Sequence, residues 1–345
     1  MADVEKVTDS KKFLKFILSK ILPITISLGI IIGFCIYENN LLMLIKIFPT
    51  LNFFYLLLAF VCIFSSWIFE SKSLKLFFTN IYSGSLDYFK LAMIGTFYGS
   101  MTPFDSGKQS SQTVKLMQVG VTPGKAISSF GKKLFASQIC TVLLSLICII
   151  FKFNEFNHKV TGFMFFIVCG LLMQCLPLGL LILFFFNTNN IMKLVFWFYK
   201  ILQKIKIIKN SEKLKEKTIK QLNFLLENKF TIPIRIDVYV YAFLQILLYN
   251  LVPFFIAKAF GLDGFPILSG ISGQVFITLI SQFSPLPGSS GLAETNFIKI
   301  LNNFFSSKNI APAMLLNRFI VVYFGMIIGS IFSFTKIKNK KNKNQ

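Results

Sequence analysis

Long apolar runs constrain this chain more than any other feature. Several of them exceed the roughly 18 residues that a helix needs to cross the hydrocarbon core of a bilayer. Only 14% of the residues are charged and 54% are hydrophobic, as expected for helices that face lipid. The pattern predicts an all-α polytopic membrane protein with about six full transmembrane helices, at residues 16–37, 52–69, 134–151, 160–186, 238–260 and 312–334.

One further apolar region is interrupted. The stretch 284–294, SPLPGSSGLAE, holds two prolines, which lack a backbone N–H, and two glycines, which permit φ values that other residues resist. A helix cannot run straight through it, and non-helical backbone at membrane depth is stable only inside protein or beside a watery cavity. We expect a re-entrant helical hairpin with Pro287, Gly288 and Gly291 at its tip. An ordinary extracellular loop is the alternative.

A similar interruption occurs in the first half of the chain. The apolar stretch 88–97 is too short to cross the membrane and leads into the stretch 102–109, TPFDSGKQ. A polar, helix-like segment follows. We expect Asp105 or Ser106 to cap that helix, because a side-chain oxygen at a helix start accepts from the unpaired N–H groups. This half therefore also predicts a re-entrant hairpin.

The two interruptions suggest how the chain is organised. Broken segments at corresponding positions of two halves are typical of inverted repeats with a binding site between them. We expect the first hairpin to open from the cytoplasm and the second from outside. The prediction is a single transmembrane domain over residues 1–345, with a first half at 16–151, a basic cytoplasmic and interfacial loop at 187–236, a second half at 238–335 and a basic tail at 336–345.

The formal net charge of +22 does not by itself indicate nucleic-acid binding. The Lys residues collect beside apolar runs: residues 187–236 carry ten Lys and residues 336–345 carry five. Such clusters follow from the positive-inside bias and from attraction to anionic lipid. Lys132 and Lys133, before the third span, fit a cytoplasmic position as well. We predict a cell-membrane protein with both termini in the cytoplasm, anionic lipid at the basic loop and tail, and no nucleic-acid partner.

Two charges fall inside apolar sequence. Glu294 follows the second Pro/Gly break, and Arg318 lies about two turns inside the last span; it is one of two Arg residues beside 34 Lys. Ionisable groups at such depth are costly and often functional. A planar guanidinium suits a phosphate bidentately, while Glu294 is an alternative partner for it. Snorkelling to the outer interface would also explain Arg318.

The sequence contains no recognisable metal or cofactor motif. The six Cys lie in apolar runs without metal-ligand spacing, and the single His, His158, lies in a short polar loop. The chain also lacks a G-x-x-x-x-G-K-[ST] phosphate-binding loop. We therefore expect no cofactor and no nucleotide-driven step, so that any transport would be downhill or ion-coupled.

Three stretches resemble the signature motifs of one family. The stretch 284–294 resembles the P-x-P-G-x-S/G-G-x-x-E motif of the lysylphosphatidylglycerol synthase transmembrane region, or flippase-like, family. TPFDSGKQSSQ at 102–112 resembles its T-P-F-x-S-G-G-Q-P-x-Q motif, and NRF at 317–319 is similar to its final-span Trp-Arg-Phe. Two residues depart from the motif at 102–112: Lys108 stands where the second glycine is usual, and Ser110 where proline is usual. The sequence therefore does not establish whether the first turn is as tight as in the family, and Lys108 adds a charge to it.

The resemblance implies a membrane protein that translocates a polar phospholipid, aminoacylated or not, or a lipid-linked headgroup between leaflets. Bifunctional members of the family also carry a soluble aminoacyl-transferase domain, which links the family with lysylphosphatidylglycerol and antibiotic resistance. The basic tail after the second half is ten residues long, 336–345, so we do not expect lysyltransferase activity. The alternatives are a membrane-embedded enzyme or accessory in aminoacyl-lipid or glycolipid synthesis, and a structural membrane partner. The sequence leaves open whether the protein forms a homo-oligomer.

The candidate substrate-binding residues combine the two motifs with the two membrane charges. Arg318 would hold a phosphate, Glu294 and Asp105 would meet a cationic headgroup, and small residues would let the backbone approach the ligand. The predicted set is Thr102, Pro103, Asp105, Gly107, Gln109, Pro287, Gly288, Gly291, Glu294 and Arg318, with no catalytic residue and no metal ligand. Glutamines in or near spans line a polar path or bond between helices: Gln109, Gln112, Gln138, Gln245, Gln274 and Gln282.

Overall fold

The computed structural model of the chain describes residues 45–79, 81–82, 84–157, 162–186, 197 and 235–335. Regular structure within these residues is helical, which confirms the predicted all-α fold class. The predicted first span at 16–37, most of the basic loop and the basic tail lie outside the described residues, as does His158.

The first half contains a broken hairpin between long helices. Its elements are α1 (Phe53–Phe77), the hairpin helices α2 (Ser85–Ser100) and α3 (Gly107–Gln118), and the long helices α4 (Pro123–Asn157) and α5 (Phe163–Phe186). The apolar stretch 88–97 forms most of α2, as predicted. The polar segment after the interruption is α3.

The second half repeats this arrangement with a different last helix. Its elements are α6 (Ile236–Ala259), the hairpin helices α7 (Ile267–Ser281) and α8 (Leu292–Leu301), and a final span made of α9 (Ile310–Arg318), a π-helical turn (Phe319–Tyr323) and α10 (Phe324–Ser333). The π turn begins at the residue after Arg318. Such turns are rare and often occur at functional sites.

Among the described residues, five helices are long and apolar enough to cross a membrane: Phe53–Phe77, Pro123–Asn157, Phe163–Ile182, Ile236–Ala259 and Ile310–Ser333. They match the second to sixth predicted spans. The first of them ends at Phe77 instead of residue 69, and the second begins at Pro123 instead of residue 134. Their extra turns contain Glu70 and Lys133, whose charges pair inside the protein, so these charges do not end the helices.

The two interruptions fold into turns of the same backbone geometry. Each is a 3-10 turn that begins with proline, Pro103–Asp105 and Pro287–Ser289. Its second and third residues have left-handed φ values, 56° and 56° in the first turn and 61° and 55° in the second. The following N–H donates to the proline carbonyl at 3.2 Å in both turns. This correspondence agrees with the predicted repeat.

The hairpins pack into the long helices through close helix contacts. α1 pairs with α6, and α2 packs against α10. At the second contact a Cβ on Gly329 would lie 2.3 Å from the Met93 carbonyl oxygen, so only glycine allows this approach. The two hairpin turns also contact each other. The depth of the hairpins in the membrane, and the side from which each opens, remain predictions.

Candidate functional site

A cavity of about 370 Å³ lies where the two hairpin turns meet. We call it the tip cavity. Both turns, α1, α3, α6, α7 and α9 contribute to its wall, so residues far apart in sequence face one space. Its main polar and charged lining residues are Ser66, Glu70, Thr102, Asp105, Lys108, Gln245, Tyr249, Gln274, Gln282, Ser289, Asn317 and Arg318.

The first turn is held together by Thr102. Its hydroxyl donates to the Tyr98 carbonyl at 2.9 Å and accepts from the Gly107 N–H at 2.7 Å. The expectation that Asp105 or Ser106 caps α3 is therefore wrong. Ser106 lies at the N-cap but makes no side-chain cap bond, and the Gly107 N–H at the start of α3 donates to Thr102. Gly107 is needed here, since a Cβ would lie 2.4 Å from the Tyr98 carbonyl oxygen.

The second turn is held together by serine hydroxyls. Ser284 donates to the Ser290 carbonyl at 3.0 Å and accepts from the Leu286 N–H at 3.3 Å, while Ser290 donates to the Pro287 carbonyl at 2.8 Å. Gly291 then has a φ of 84°, a left-handed value that glycine adopts without steric cost. These bonds fix the turn so that Gly288 and Ser289 face the cavity.

Arg318 links the second turn to the last span. Its Nε lies 2.7 Å from Glu294 Oε1, and its Nη2 donates to the Gly288 carbonyl at 2.8 Å. The side chain is buried, so it does not snorkel out of the protein. Its Nη1 has no hydrogen-bond partner among the described residues. Arg318 therefore supports the turn with one part of its guanidinium and can offer the rest to a ligand.

Both carboxylate oxygens of Glu294 have partners within the protein. One carboxylate oxygen pairs with Arg318, and the other accepts from the Gly291 N–H at 2.6 Å, closing the first turn of α8. Glu294 is buried and is not among the residues that line the tip cavity. The geometry favours a positioning role for Glu294, which holds Arg318 in place, over direct contact with a headgroup.

A second ion cluster borders the tip cavity through Glu70 and Lys108. The Glu70 carboxylate pairs with Lys108 at 3.1 Å and with Lys133 at 2.8 Å, and Gln245 donates to it at 3.4 Å. These residues belong to α1, α3, α4 and α6. The cluster therefore fastens the first hairpin to three long helices. Lys133 is buried, so it is an internal ion-pair partner and not the exposed flanking charge that the sequence suggested.

The structure explains why a lysine can stand at position 108, where the resembled motif has glycine. It lines the cavity and pairs with Glu70, so the added charge has a partner. The first turn keeps the backbone geometry of the second despite Lys108 and Ser110. Ser110 donates instead to the Ser106 carbonyl at 3.0 Å. Neither departure loosens the turn.

Asp105 is the exposed carboxylate of the cavity. It forms no side-chain hydrogen bond or ion pair within 4 Å with another described residue. Its φ of 56° lies in the left-handed region, which Asp adopts more readily than most residues with a side chain. Asp105 can therefore receive a cationic or hydrogen-bond-donating group.

The structure divides the predicted site residues into three groups. Thr102, Asp105, Gly288 and Arg318 line the tip cavity. Behind the lining are Pro103, Pro287, Gly107, Gly291 and Glu294, which shape the turns and hold Arg318. Gln109 is half-buried in α3 and is not among the lining residues.

Four charged residues line the tip cavity, and the predicted site included two of them, Asp105 and Arg318. It left out Glu70, which lies just beyond the predicted end of the second span, and Lys108, which pairs with Glu70. The available signal was that Glu70 is the single acidic residue in the helix 53–77. Of the glutamines, Gln245, Gln274 and Gln282 line the cavity.

The described residues contain no group of three or more His, Cys, Asp and Glu that could hold a metal ion. They provide instead a cavity with a guanidinium edge, a free carboxylate, a lysine and several amides. This set can bind a polar ligand of mixed charge. It defines a class of protein: a helical membrane protein whose two broken hairpins enclose a charged cavity.

The particular family is identified by comparison with known proteins. The family model described as Lysylphosphatidylglycerol synthase TM region matches residues 20–329, so the chain belongs to this family, as its motifs indicated. A curated relative, a UPF0104 membrane protein of Archaeoglobus fulgidus, is 25% identical over 307 residues, which cover 85% of this chain and 90% of the relative. No solved structure matches the chain. Family membership is consistent with a role in lipid metabolism or transport.

Proposed function

We propose that this protein translocates the polar headgroup of a membrane lipid between leaflets, through the tip cavity, while the acyl chains stay in the bilayer. The observation that carries the proposal is the cavity itself, where two broken hairpins meet and both signs of charge face one space. Broken helices that enclose a central polar site are the typical arrangement of proteins that move polar substrates across membranes.

Arg318 is the proposed phosphate ligand. Its Nε and Nη2 are held by Glu294 and by the Gly288 carbonyl, which fixes the plane of the guanidinium. Its Nη1 donors then point to no described partner and can bind a phosphate oxygen. Because the group is already oriented, binding loses less side-chain entropy than it would with a mobile lysine.

Asp105 is the proposed contact for the cationic part of a headgroup. An ammonium group, such as that of an aminoacylated lipid, would gain from a carboxylate that lacks an ion-pair partner. The cavity of about 370 Å³ is near the lower end of the usual range for ligand pockets. A headgroup is the part of a lipid that such a volume suits, and it is the part that cannot cross lipid unaided.

The proposal is tested in liposomes that contain the purified protein and an acyl-labelled lipid. A membrane-impermeant quencher measures how fast label leaves the inner leaflet, and mass spectrometry of the recovered lipid detects covalent change. We expect the wild type to move lipid without changing it, and Arg318→Lys, which keeps the charge but loses the fork, to slow movement severalfold.

Arg235→Lys is the matched control, because the other arginine of the chain is exposed and does not line the tip cavity. Equal rates in protein-containing and protein-free liposomes would contradict the proposal. New lipid products would favour the alternative of a membrane-embedded enzyme in aminoacyl-lipid or glycolipid synthesis.

A further inference from the structure

A second, uncharged chamber adjoins the tip cavity. It has a volume of about 180 Å³ and lies between α1, α4, α5, α6 and α7. The two spaces share the wall residues Ser66, Gln245, Tyr249, Thr278 and Gln282. None of the residues that line this chamber carries a charge. We call it the amide chamber, because Gln174, Gln245, Asn250 and Gln282 provide much of its polar lining.

Three polar atoms of the chamber lining are buried and have no hydrogen-bond partner among the described residues. They are the Ser145 hydroxyl oxygen, the Gln245 Oε1 and the Gln282 Nε2. A buried polar group without a partner costs free energy, so these atoms need something to bond to. Gln245 Oε1 can only accept a hydrogen bond, Gln282 Nε2 can only donate, and the Ser145 hydroxyl can do both. A ligand that matches all three must both donate and accept.

The lining chemistry narrows the ligand class. A phosphate or an ammonium would find no counter-charge in the chamber, and burying an unpaired charge there would be expensive. A hydrocarbon chain would leave the three polar atoms unbonded. Hydroxyl groups donate and accept at once and carry no charge. Leu144, Val275 and Leu279 supply apolar wall area that suits the carbon skeleton of a polyol.

We propose that the amide chamber is a subsite for the hydroxyl-bearing part of the headgroup, a glycerol, sugar or other polyol, whose phosphate occupies the tip cavity. This assignment rests on the proposed function, because it treats the two spaces as one composite site. It makes the neutral chamber a determinant of which lipid is moved. Arg318 recognises the phosphate that phospholipids share, and Ser145 with the glutamines recognises the polyol attached to that phosphate.

A matched pair of lipids isolates the hydroxyl groups. Phosphatidylglycerol and phosphatidylethanol carry the same single negative charge, but only the first has headgroup hydroxyls. In the liposome assay we expect the wild type to move phosphatidylglycerol faster. Ser145→Ala should lower the ratio of the two rates about threefold to tenfold, the loss expected for one hydrogen bond. Ser145→Leu, which also fills space, should lower it at least as much.

Ser73→Ala is the control. Ser73 is as buried as Ser145, each with 1% of its surface exposed. Its hydroxyl also has no hydrogen-bond partner in the described part of the chain, but it lines neither space. The Ser73 variant should keep the wild-type ratio. Equal wild-type rates for the two lipids would overturn the proposal. So would an unchanged ratio in both Ser145 variants, which would mean that the chamber holds only water.

A binding measurement separates this proposal from the proposed function. In detergent, glycerol 1-phosphate should raise the midpoint of thermal unfolding more than ethyl phosphate does, and Ser145→Ala should remove the difference. If liposomes show no translocation but this difference is present, the chamber assignment stands and the transport role fails. If translocation occurs and the two phosphates protect equally, the chamber assignment fails and the transport role stands.

Discussion

Arg318 and Glu294 illustrate how one residue pair serves structure and binding together. Glu294 closes the first turn of α8 and holds Arg318, and Arg318 in turn holds the carbonyl of Gly288. Both side chains are buried. Removing one partner therefore leaves an unpaired charge inside the protein, which costs more than the pair itself contributes. Loss of activity in a single variant does not separate these roles.

A double variant separates them. We expect Arg318→Gln to lower the free energy of unfolding by about 3 to 5 kcal/mol, the usual cost of breaking a buried pair. The Glu294→Gln, Arg318→Gln double variant should recover most of that stability, because no charge is left unpaired, yet remain inactive in lipid movement. Thermal unfolding in detergent and the liposome assay are the two measurements. A stable and fully active Arg318→Gln single variant would remove both roles.

Glu70 provides a second prediction at this scale. Buried Lys133 and partly buried Lys108 both pair with its carboxylate, so Glu70→Gln should destabilise the protein by about 3 to 5 kcal/mol. Asp237→Asn is the control, because its pair with Arg235 is far more exposed, with 32% of the Asp237 and 64% of the Arg235 side chain accessible, and exposed pairs contribute little. Similar unfolding midpoints for the two variants would show that the Glu70 cluster is not needed for stability.

The hairpin turn is the element that the two halves share. Proline starts each turn and two left-handed residues come after it. The second position is Gly288 in one turn and Phe104 in the other. A left-handed φ costs a residue with a Cβ roughly 1 to 2 kcal/mol, so the first turn is the more strained. Phe104 is 65% exposed, which means that its ring does not offset this cost by burial.

The strain predicts a reversal of the usual preference between glycine and alanine. At position 104, the glycine variant should be more stable than the alanine variant by about 1 kcal/mol. At Val114, an exposed residue inside α3, alanine should be favoured by a similar amount. Thermal unfolding of the four variants measures both differences. Alanine at least as stable as glycine at position 104 would argue against a left-handed turn.

At the scale of the whole molecule, basic residues meet at one end. Lys72, Lys75 and Arg235 line the same groove, although Arg235 is far from the others in sequence. At the other end of the same two helices, the Asn52 N–H donates to the Ala259 carbonyl at 2.9 Å. α1 and α6 therefore run antiparallel. The positive-inside bias then predicts that the basic end faces the cytoplasm.

Single-cysteine labelling tests this orientation in a variant without the native cysteines. An impermeant reagent should label Lys75→Cys only from the cytoplasm and Asp263→Cys only from outside; both native residues are exposed. Ser289→Cys, at the second turn, should be reached from the outer side, because the predicted second hairpin opens there. Labelling of Ser289→Cys only from the cytoplasm would contradict the inverted-hairpin arrangement, while the first two positions verify that each side is correctly assigned.

Local chemistry allowed the sequence to determine the helical membrane fold and the two interruptions. Apolar runs of sufficient length must be helical in lipid, and proline and glycine prevent a continuous helix whatever surrounds them. For the same reason the sequence predicted Pro103, Pro287, Gly288 and Gly291 at the turns. It also pointed to Arg318, because a cation inside an apolar run is unusual wherever the run is placed.

The contacts of each charge depend on the folded structure and could not be read from the sequence. Glu70 meets Lys108 and Lys133 across 38 and 63 residues of chain, and no local pattern specifies such distances. The sequence left two roles open for Glu294, contact with a headgroup or a pair with Arg318, and the fold pairs it with Arg318 and with a backbone N–H. A buried charge is assigned its role by the partner that the fold brings to it, since electrostatic energy depends on separation in space and not on separation in sequence.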